Sequence, residues 1–250
     1  MFRDLSDGIT SYVQAWRMIS EYRLWKYFIV PGMLATGLVY LLYFGLIKWL
    51  APATGGFIVS KLQWIPWHPA VVFLNKHAWA VGMGVIIVFG IVVFKYLLMI
   101  IISPFMSLLS ERIENIVRQG KDSVQEPFKL KTAAYQMFRG LSISIGNLLK
   151  ESFFIIVLGL LGLFPLFGLI VPLVILLVQA HYAGFGNLDF TLERHFNVKR
   201  SRSFMRDYRG LAIGNGIPYM LILFIPFIGL FLAPPLAAAA GTLEILRRLD

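Results

Sequence analysis

The sequence predicts an all-α integral membrane protein: an amphipathic N-terminal helix, two long spanning helices and two half-penetrating helical hairpins. Three observations carry this. First, 58% of the 250 residues are hydrophobic and only 14% charged, with mean hydropathy +0.74. A soluble domain would carry roughly 25% charged residues and no apolar run beyond about 18. Second, two apolar runs, "LFPLFGLIVPLVILL" at residues 163–177 and "FIPFIGLFLAPPL" at 224–236, hold prolines and glycine where a plain spanning helix would carry leucine. Third, most of the net charge of +10 sits beside apolar segments. That distribution suits orientation in a bilayer and contact with anionic head groups, not nucleic acid. The chain has no cysteine, which excludes disulfide and thiol chemistry.

Residues 1–26 open the chain. "MFRDLSDGITSYVQAW" has two early aspartates and no apolar core, so it reads as a helix and not as a removable signal peptide. Phe2, Leu5, Ile9, Val13, Trp16 and Ile19 recur at three- and four-residue steps, the pattern of a helix lying in the membrane interface. The turn "SEYRLWK" (20–26) leads to a first span over residues 27–50, reaching ~36 Å at 1.5 Å per residue. Residues 51–77, with Pro52, Gly55, Gly56, Pro66, Pro69, Trp64 and Trp67, read as an outer loop with an aromatic belt. The second span covers 78–102, and Pro104 is expected to kink it or mark its exit from lipid. Residues 103–152 then read as cytoplasmic helices, the first stopping at Gly120 and the second carrying Arg139 and Lys150 on one basic stripe. A first hairpin follows over 153–183, a basic cytoplasmic segment over 184–216, and a second hairpin over 217–243.

The hairpins answer a cost. In a single spanning helix Pro165 and Pro172 would each remove a mid-bilayer hydrogen bond, at ~3 kcal/mol apiece. Two arms meeting at Pro165–Gly168, and again at Pro226–Gly229, put proline and glycine where the chain turns. Charge separates this from the competing reading of two kinked spanning helices. Full crossings would place Arg194, Lys199, Arg200, Arg202, Arg206 and Arg209 outside, against the positive-inside rule. Hairpins keep them on the cytoplasmic side with both termini.

No GxxxxGK[ST], HExxH or GxSxG pattern occurs, so neither an enzyme nor a cofactor is expected. His68, His77, His181 and His195 lack metal-ligand partners at helical spacing. Lys95, the one charge inside the second span, either lines a path or snorkels to the surface. "DFTLERH" (189–195) combines acid, base and imidazole; a catalytic reading needs a pocket that the sequence does not display, and an ion-paired cap over the hairpins is the favoured one. Arg202, Arg206 and Arg209 share one helix face, suited either to anionic head groups or to an electropositive vestibule.

"GxxSYxxAWRMIS", "VPGML", "SPFMSLLSERIE", "DFTLERH" and the two PxxG hairpins together resemble the CysZ-type sulfate permeases and the wider etoposide-induced-protein-like membrane family, in order over nearly the whole chain. The resemblance implies a multi-pass protein of the bacterial inner membrane that assembles as a homo-oligomer and passes sulfate or a similar oxyanion inward for cysteine synthesis. It also implies an anion-binding turn before the first span. Arg23 and Lys26 stand there, with Trp25 and Lys26 at positions where the family has paired arginines. Pore or vestibule candidates are Lys95, Glu111 and Arg139, and the hairpin apices are Pro165, Gly168, Pro226 and Gly229. A channel or permease is the leading expectation; a non-transporting membrane scaffold or lipid-interacting protein, and an intramembrane enzyme, are the competing classes.

Overall fold

The structure, a computed structural model, describes residues 2–42, 44, 57, 60, 72, 76–120, 130–162, 167, 170–225 and 228–249. Among these the fold is all-α: α1 (Phe2–Glu21), α2 (Lys26–Leu42), α3 (Ala78–Gln119), α4 (Leu130–Gly162), α5 (Ile170–His195), α6 (Val198–Asp207), α7 (Arg209–Leu223) and α8 (Ile228–Leu249). Among the described residues four segments are long and apolar enough to cross a membrane, Tyr96–Gln119, Ala134–Gly159, Ile170–His195 and Ile228–Leu249, or five if the bent pair α1 and α2 is one span. By its internal contacts the chain divides into two compact units, residues 1–35 with 98–250, and residues 36–97. The first unit carries everything described below.

α1 is helical as its spacing predicted, and the face that it packs against protein is, apart from Ile19, a different one from the apolar stripe. Ile9, Val13 and Trp16 are exposed, whereas Gly8, Ser11, Tyr12, Ala15 and Ile19 are buried, where α1 packs on α7 and α8. The reason is steric. A Cβ on Gly8 would stand 2.8 Å from the carbonyl carbon of Gly214, so this pair of glycines lets two helix backbones touch, which larger side chains would prevent. The bulky apolar residues are left facing outward, where lipid can take them.

α5 and α7 form the most extensive helix pair, and small residues again explain it. A Cβ on Gly184 would overlap the carbonyl oxygen of Ala212, and one on Gly216 would overlap that of Ala180. Lipid tails are as apolar as leucine, so close backbone packing and hydrogen bonds must hold such a crossing. Asn215 provides the bonds. Its Oδ1 accepts from Asn187 Nδ2 at 3.0 Å, its Nδ2 donates to the Ala237 carbonyl at 3.0 Å, and its own carbonyl accepts from the Tyr12 hydroxyl at 2.6 Å. One residue thereby ties α1, α5, α7 and α8, with each bond worth about 0.6 kcal/mol in a membrane.

α8 packs against α1, α5 and α7, and Ala237, Ala238, Ala239 and Ala240 are all fully buried. Short side chains let three helices close round it. Its far end is tied by charge, Arg248 Nη2 lying 3.3 Å from Asp4 and 3.2 Å from Asp7. The two early aspartates thus have a partner at the other end of the chain.

Two helices continue through the segment boundaries drawn from sequence at residues 102 and 152. α3 runs through Pro104 without interruption. Proline cannot donate to the carbonyl four residues back, which is that of Ile100; the Ser103 hydroxyl donates to it instead, at 2.8 Å. α4 runs unbroken for 33 residues, roughly 50 Å at 1.5 Å per residue. It contains no proline, and an isolated glycine costs a helix only about 1 kcal/mol. The first predicted hairpin arm is therefore the end of a much longer helix. Near the second expected apex the helix ends at Leu223 and Phe224–Ile225 are not helical; Pro165, Gly168 and Pro226 lie outside the described residues.

Candidate functional site

Three polar features stand out in the larger unit. The first is the bend between α1 and α2, which meet at 115°. Arg23 adopts φ 52° there, a left-handed conformation uncommon for residues other than glycine. The Trp25 ring meets Trp16 edge-on at 5.2 Å and lies 5.1 Å from Phe28, which braces the bend. Arg23 and Lys26 are both exposed. The backbone N–H groups of Tyr27 and Phe28 are already bonded to the carbonyls of Leu24 and Trp25. An anion at this turn would therefore depend on the two side chains more than on the α2 N-terminus.

The second feature is a buried polar seam between α3 and α5, where "SPFMSLLSERIE" faces "DFTLERH". Ser103, Ser107 and Ser110 share one face of α3 and are all buried. Ser107 donates to Glu193, and Gln136 Nε2 of α4 donates to Ser107 Oγ at 2.7 Å. The hydroxyls of Ser110, Thr191 and Thr242 form a triangle with sides of 2.8 to 3.0 Å, which joins α3, α5 and α8. Arg194 donates to Ser110 Oγ at 2.7 Å and pairs with Glu114 at 2.9 Å, and His195 Nε2 lies 3.0 Å from the same carboxylate.

Arg139 belongs to this layer. Its Nε and Nη2 bond the two oxygens of Asp189 at 3.1 and 2.8 Å, and it also donates to Ser201 Oγ and to the Phe196 carbonyl. Four bonds hold a guanidinium that is 4% exposed. The motif read from sequence as an ion-paired cap holding the two hairpins together is ion-paired, but it ties α5 to α3 and α4. Glu111, the acid singled out from sequence, is half-buried, while Glu114 one turn on makes the ion pairs.

The third feature is a cavity of about 470 Å³ among α4, α5, α6 and α7. Lys150, Arg202, Arg206 and Arg209 line it beside His181, and no carboxylate does. The helix face Arg202, Arg206, Arg209 noted in the sequence is thus joined by the Lys150 end of the α4 stripe. Arg202 reaches α4 because residue 146 is glycine: a Cβ there would stand 2.8 Å from the guanidinium, which also donates to the Ser142 carbonyl at 3.4 Å.

A family model described as "Sulfate transporter CysZ/Etoposide-induced protein 2.4" matches residues 11–234. The chain belongs to this family. As a CysZ/etoposide-induced-protein family member it is a multi-pass membrane protein of a transporter family. The match takes in the braced bend, the basic cavity and the seam apart from Thr242.

The remaining candidates divide as follows. The Lys95 side chain lies outside the described residues, as do Pro165, Gly168 and Pro226. Gly229 is buried in the first turn of α8, where a Cβ would overlap the Ile222 carbonyl oxygen across the turn from α7. Sequence reasoning passed over Asn147, Glu114, Asn187, Asn215 and Thr242. Their only signal was a polar side chain inside an apolar helix, which becomes informative once the facing helix is known.

Proposed function

We propose that this protein is a channel or permease for a small oxyanion, sulfate foremost, feeding sulfur assimilation from the inner membrane of a bacterial cell. Family membership supports the transporter class. The observation that carries the anion is the braced bend, where Arg23 and Lys26 stand exposed on either side of a tryptophan anchored to Trp16. Two cations on a rigid turn attract a doubly charged anion more than a flexible pair would, since less side-chain freedom is lost on binding. Lysine in place of a guanidinium lacks the two-pronged fork, so the site holds its ion loosely, as conduction requires.

In this reading residues 163–169 and 224–227 are turns of half-penetrating hairpins, both termini are cytoplasmic, and several copies assemble round the path. Lys95, Glu111 and the apices Pro165–Gly168 and Pro226–Gly229 are its proposed lining. Arg139, bonded to Asp189, sets the spacing of the helices around it. Transport runs down a gradient, with no nucleotide site to power it and no catalytic group. The test is radiolabelled sulfate flux into proteoliposomes. Flux above protein-free vesicles that falls severalfold in Arg23→Ala/Lys26→Ala supports the proposal. Wild-type flux equal to that of empty vesicles overturns it in favour of a membrane scaffold.

A further inference from the structure

We infer that the cavity among α4, α5, α6 and α7 is a binding site for the phosphate head of an anionic membrane lipid, with part of an acyl chain lying along its apolar wall. Occupancy of this site does not depend on the transport proposed above.

Four observations converge. Lys150, Arg202, Arg206 and Arg209 surround the opening, and none of them pairs with a carboxylate among the described residues. Arg202 also feels the buried Asp189 carboxylate, but four like charges at one opening repel one another, and an anion entering between them relieves that repulsion. Next, Asn147 lines the same cavity, is 3% exposed, and has a side-chain Nδ2 with no hydrogen-bond partner. A buried donor without an acceptor costs about 1–3 kcal/mol. It is the feature to expect where an oxygen-bearing ligand completes the bond.

The size and walls then separate a lipid from a free ion. A tetrahedral oxyanion is a few times the ~30 Å³ share of one water and would leave most of a 470 Å³ space empty. Drug-sized ligands occupy cavities of roughly 300–1,000 Å³. Apart from His181 and Tyr182 the rest of the wall is apolar, with Phe154 from α4, Leu177 from α5 and Ile213 from α7. Phe154 and Leu177 are also exposed to the outside, at 45% and 44%. They continue into the exposed Phe153, Val157, Leu161 and Leu173 on the lipid-facing arms of α4 and α5. A chain could pass from cavity to bilayer without crossing a polar barrier. Basic pockets between membrane helices suit phosphate head groups for this reason.

Gly146 is a positioning residue in this scheme. Its missing side chain lets the Arg202 guanidinium lie on α4 next to Asn147, so that charge and neutral donor converge on one place.

The experiment compares thermal unfolding of the purified full chain in neutral detergent with four additions: short-chain phosphatidylglycerol, the matching phosphatidylcholine, glycerol phosphate, and inorganic phosphate. Phosphatidylglycerol is expected to raise Tm saturably, while the other three do not. Asn147→Leu should weaken that response about tenfold in half-saturating concentration, the effect of one lost hydrogen bond to a charged group. Arg202→Gln/Arg206→Gln should abolish it, with Tm in phosphatidylcholine unchanged as the control for folding. Gly146→Ala, which displaces Arg202 without removing any charge, should weaken the response too. Equal stabilisation by phosphatidylcholine, equal stabilisation by glycerol phosphate or inorganic phosphate, or a full phosphatidylglycerol response in Asn147→Leu would each overturn the assignment. Sulfate flux is a separate reading, so a failure here leaves the transport proposal standing.

Discussion

Arg139 on α4 holds Asp189 on α5 by two donors at once, Nε at 3.1 Å and Nη2 at 2.8 Å, with 1% and 8% of the respective side chains exposed. A pair buried to this degree is asymmetric in its consequences. Removing one partner strands a charge, whereas replacing both with apolar groups of similar size is often neutral. Arg139→Ala is therefore expected to lose about 3–5 kcal/mol of stability. Arg139→Met with Asp189→Leu should lose less than that single change. Thermal unfolding in micelles decides, and a double variant no better than the single would show that the pair's hydrogen bonds to Ser201 and Phe196 dominate.

The glycine crossing of α5 and α7 makes a sharper prediction. Gly184→Ala or Gly216→Ala drives a methyl into a backbone carbonyl, and overpacking of this kind costs about 1–3 kcal/mol or more. Gly159→Ala on α4 meets nothing within 4 Å and should be neutral or up to ~1 kcal/mol stabilising, as expected for a helix glycine. Size-exclusion profiles and Tm for the three single variants make the comparison.

Topology can be read by cysteine labelling, because the chain has no cysteine of its own. From sequence Asn187 is the natural reporter for the basic segment, but it is 1% exposed and bonded to Asn215, so it would stay silent on either side. Ser203 on α6 is exposed. Ser203→Cys and Thr54→Cys are expected to label from opposite faces of sealed cells, Thr54→Cys from outside. Labelling of both from outside would mean that the two proline-broken runs cross the bilayer fully.

Sulfate affinity at the bend is expected to fall about tenfold in Arg23→Ala/Lys26→Ala, the loss of one or two charge-assisted bonds. Titration calorimetry on the purified chain measures it. An isotherm that matches wild type would reduce the bend to an interfacial anchor.

Gly229 tests the second apex. A side chain there meets the Ile222 carbonyl, so Gly229→Leu should both lower Tm and reduce sulfate flux. Reduced Tm with unchanged flux would assign this turn to packing alone.

Much of the fold was legible in the sequence, and the parts that were legible share a cause. Apolar run length, proline position and charge placement act through the bilayer, which imposes the same requirements on any chain. They identified an all-α membrane protein, the N-terminal helix, the polar turn at residues 20–26 and the end of helix at Leu223. What only the tertiary structure decided depends on neighbours. Ile9, Val13 and Trp16 form as apolar a stripe as any, yet α1 packs through Gly8 and Ala15, because contact between helices in lipid rewards small size over hydrophobicity. Pro104 reads as a kink or an exit from lipid, and only the structure shows Ser103 bonding the carbonyl that it leaves free. Glu111 and Glu114 look equivalent in sequence, and only the facing Arg194 and His195 select Glu114. Asn147 and Arg202 stand 55 positions apart, and nothing local hints that one glycine brings them to the same cavity. Solvent preference is a property of each segment and can be read along the chain, whereas complementarity belongs to pairs of segments and exists only once they meet.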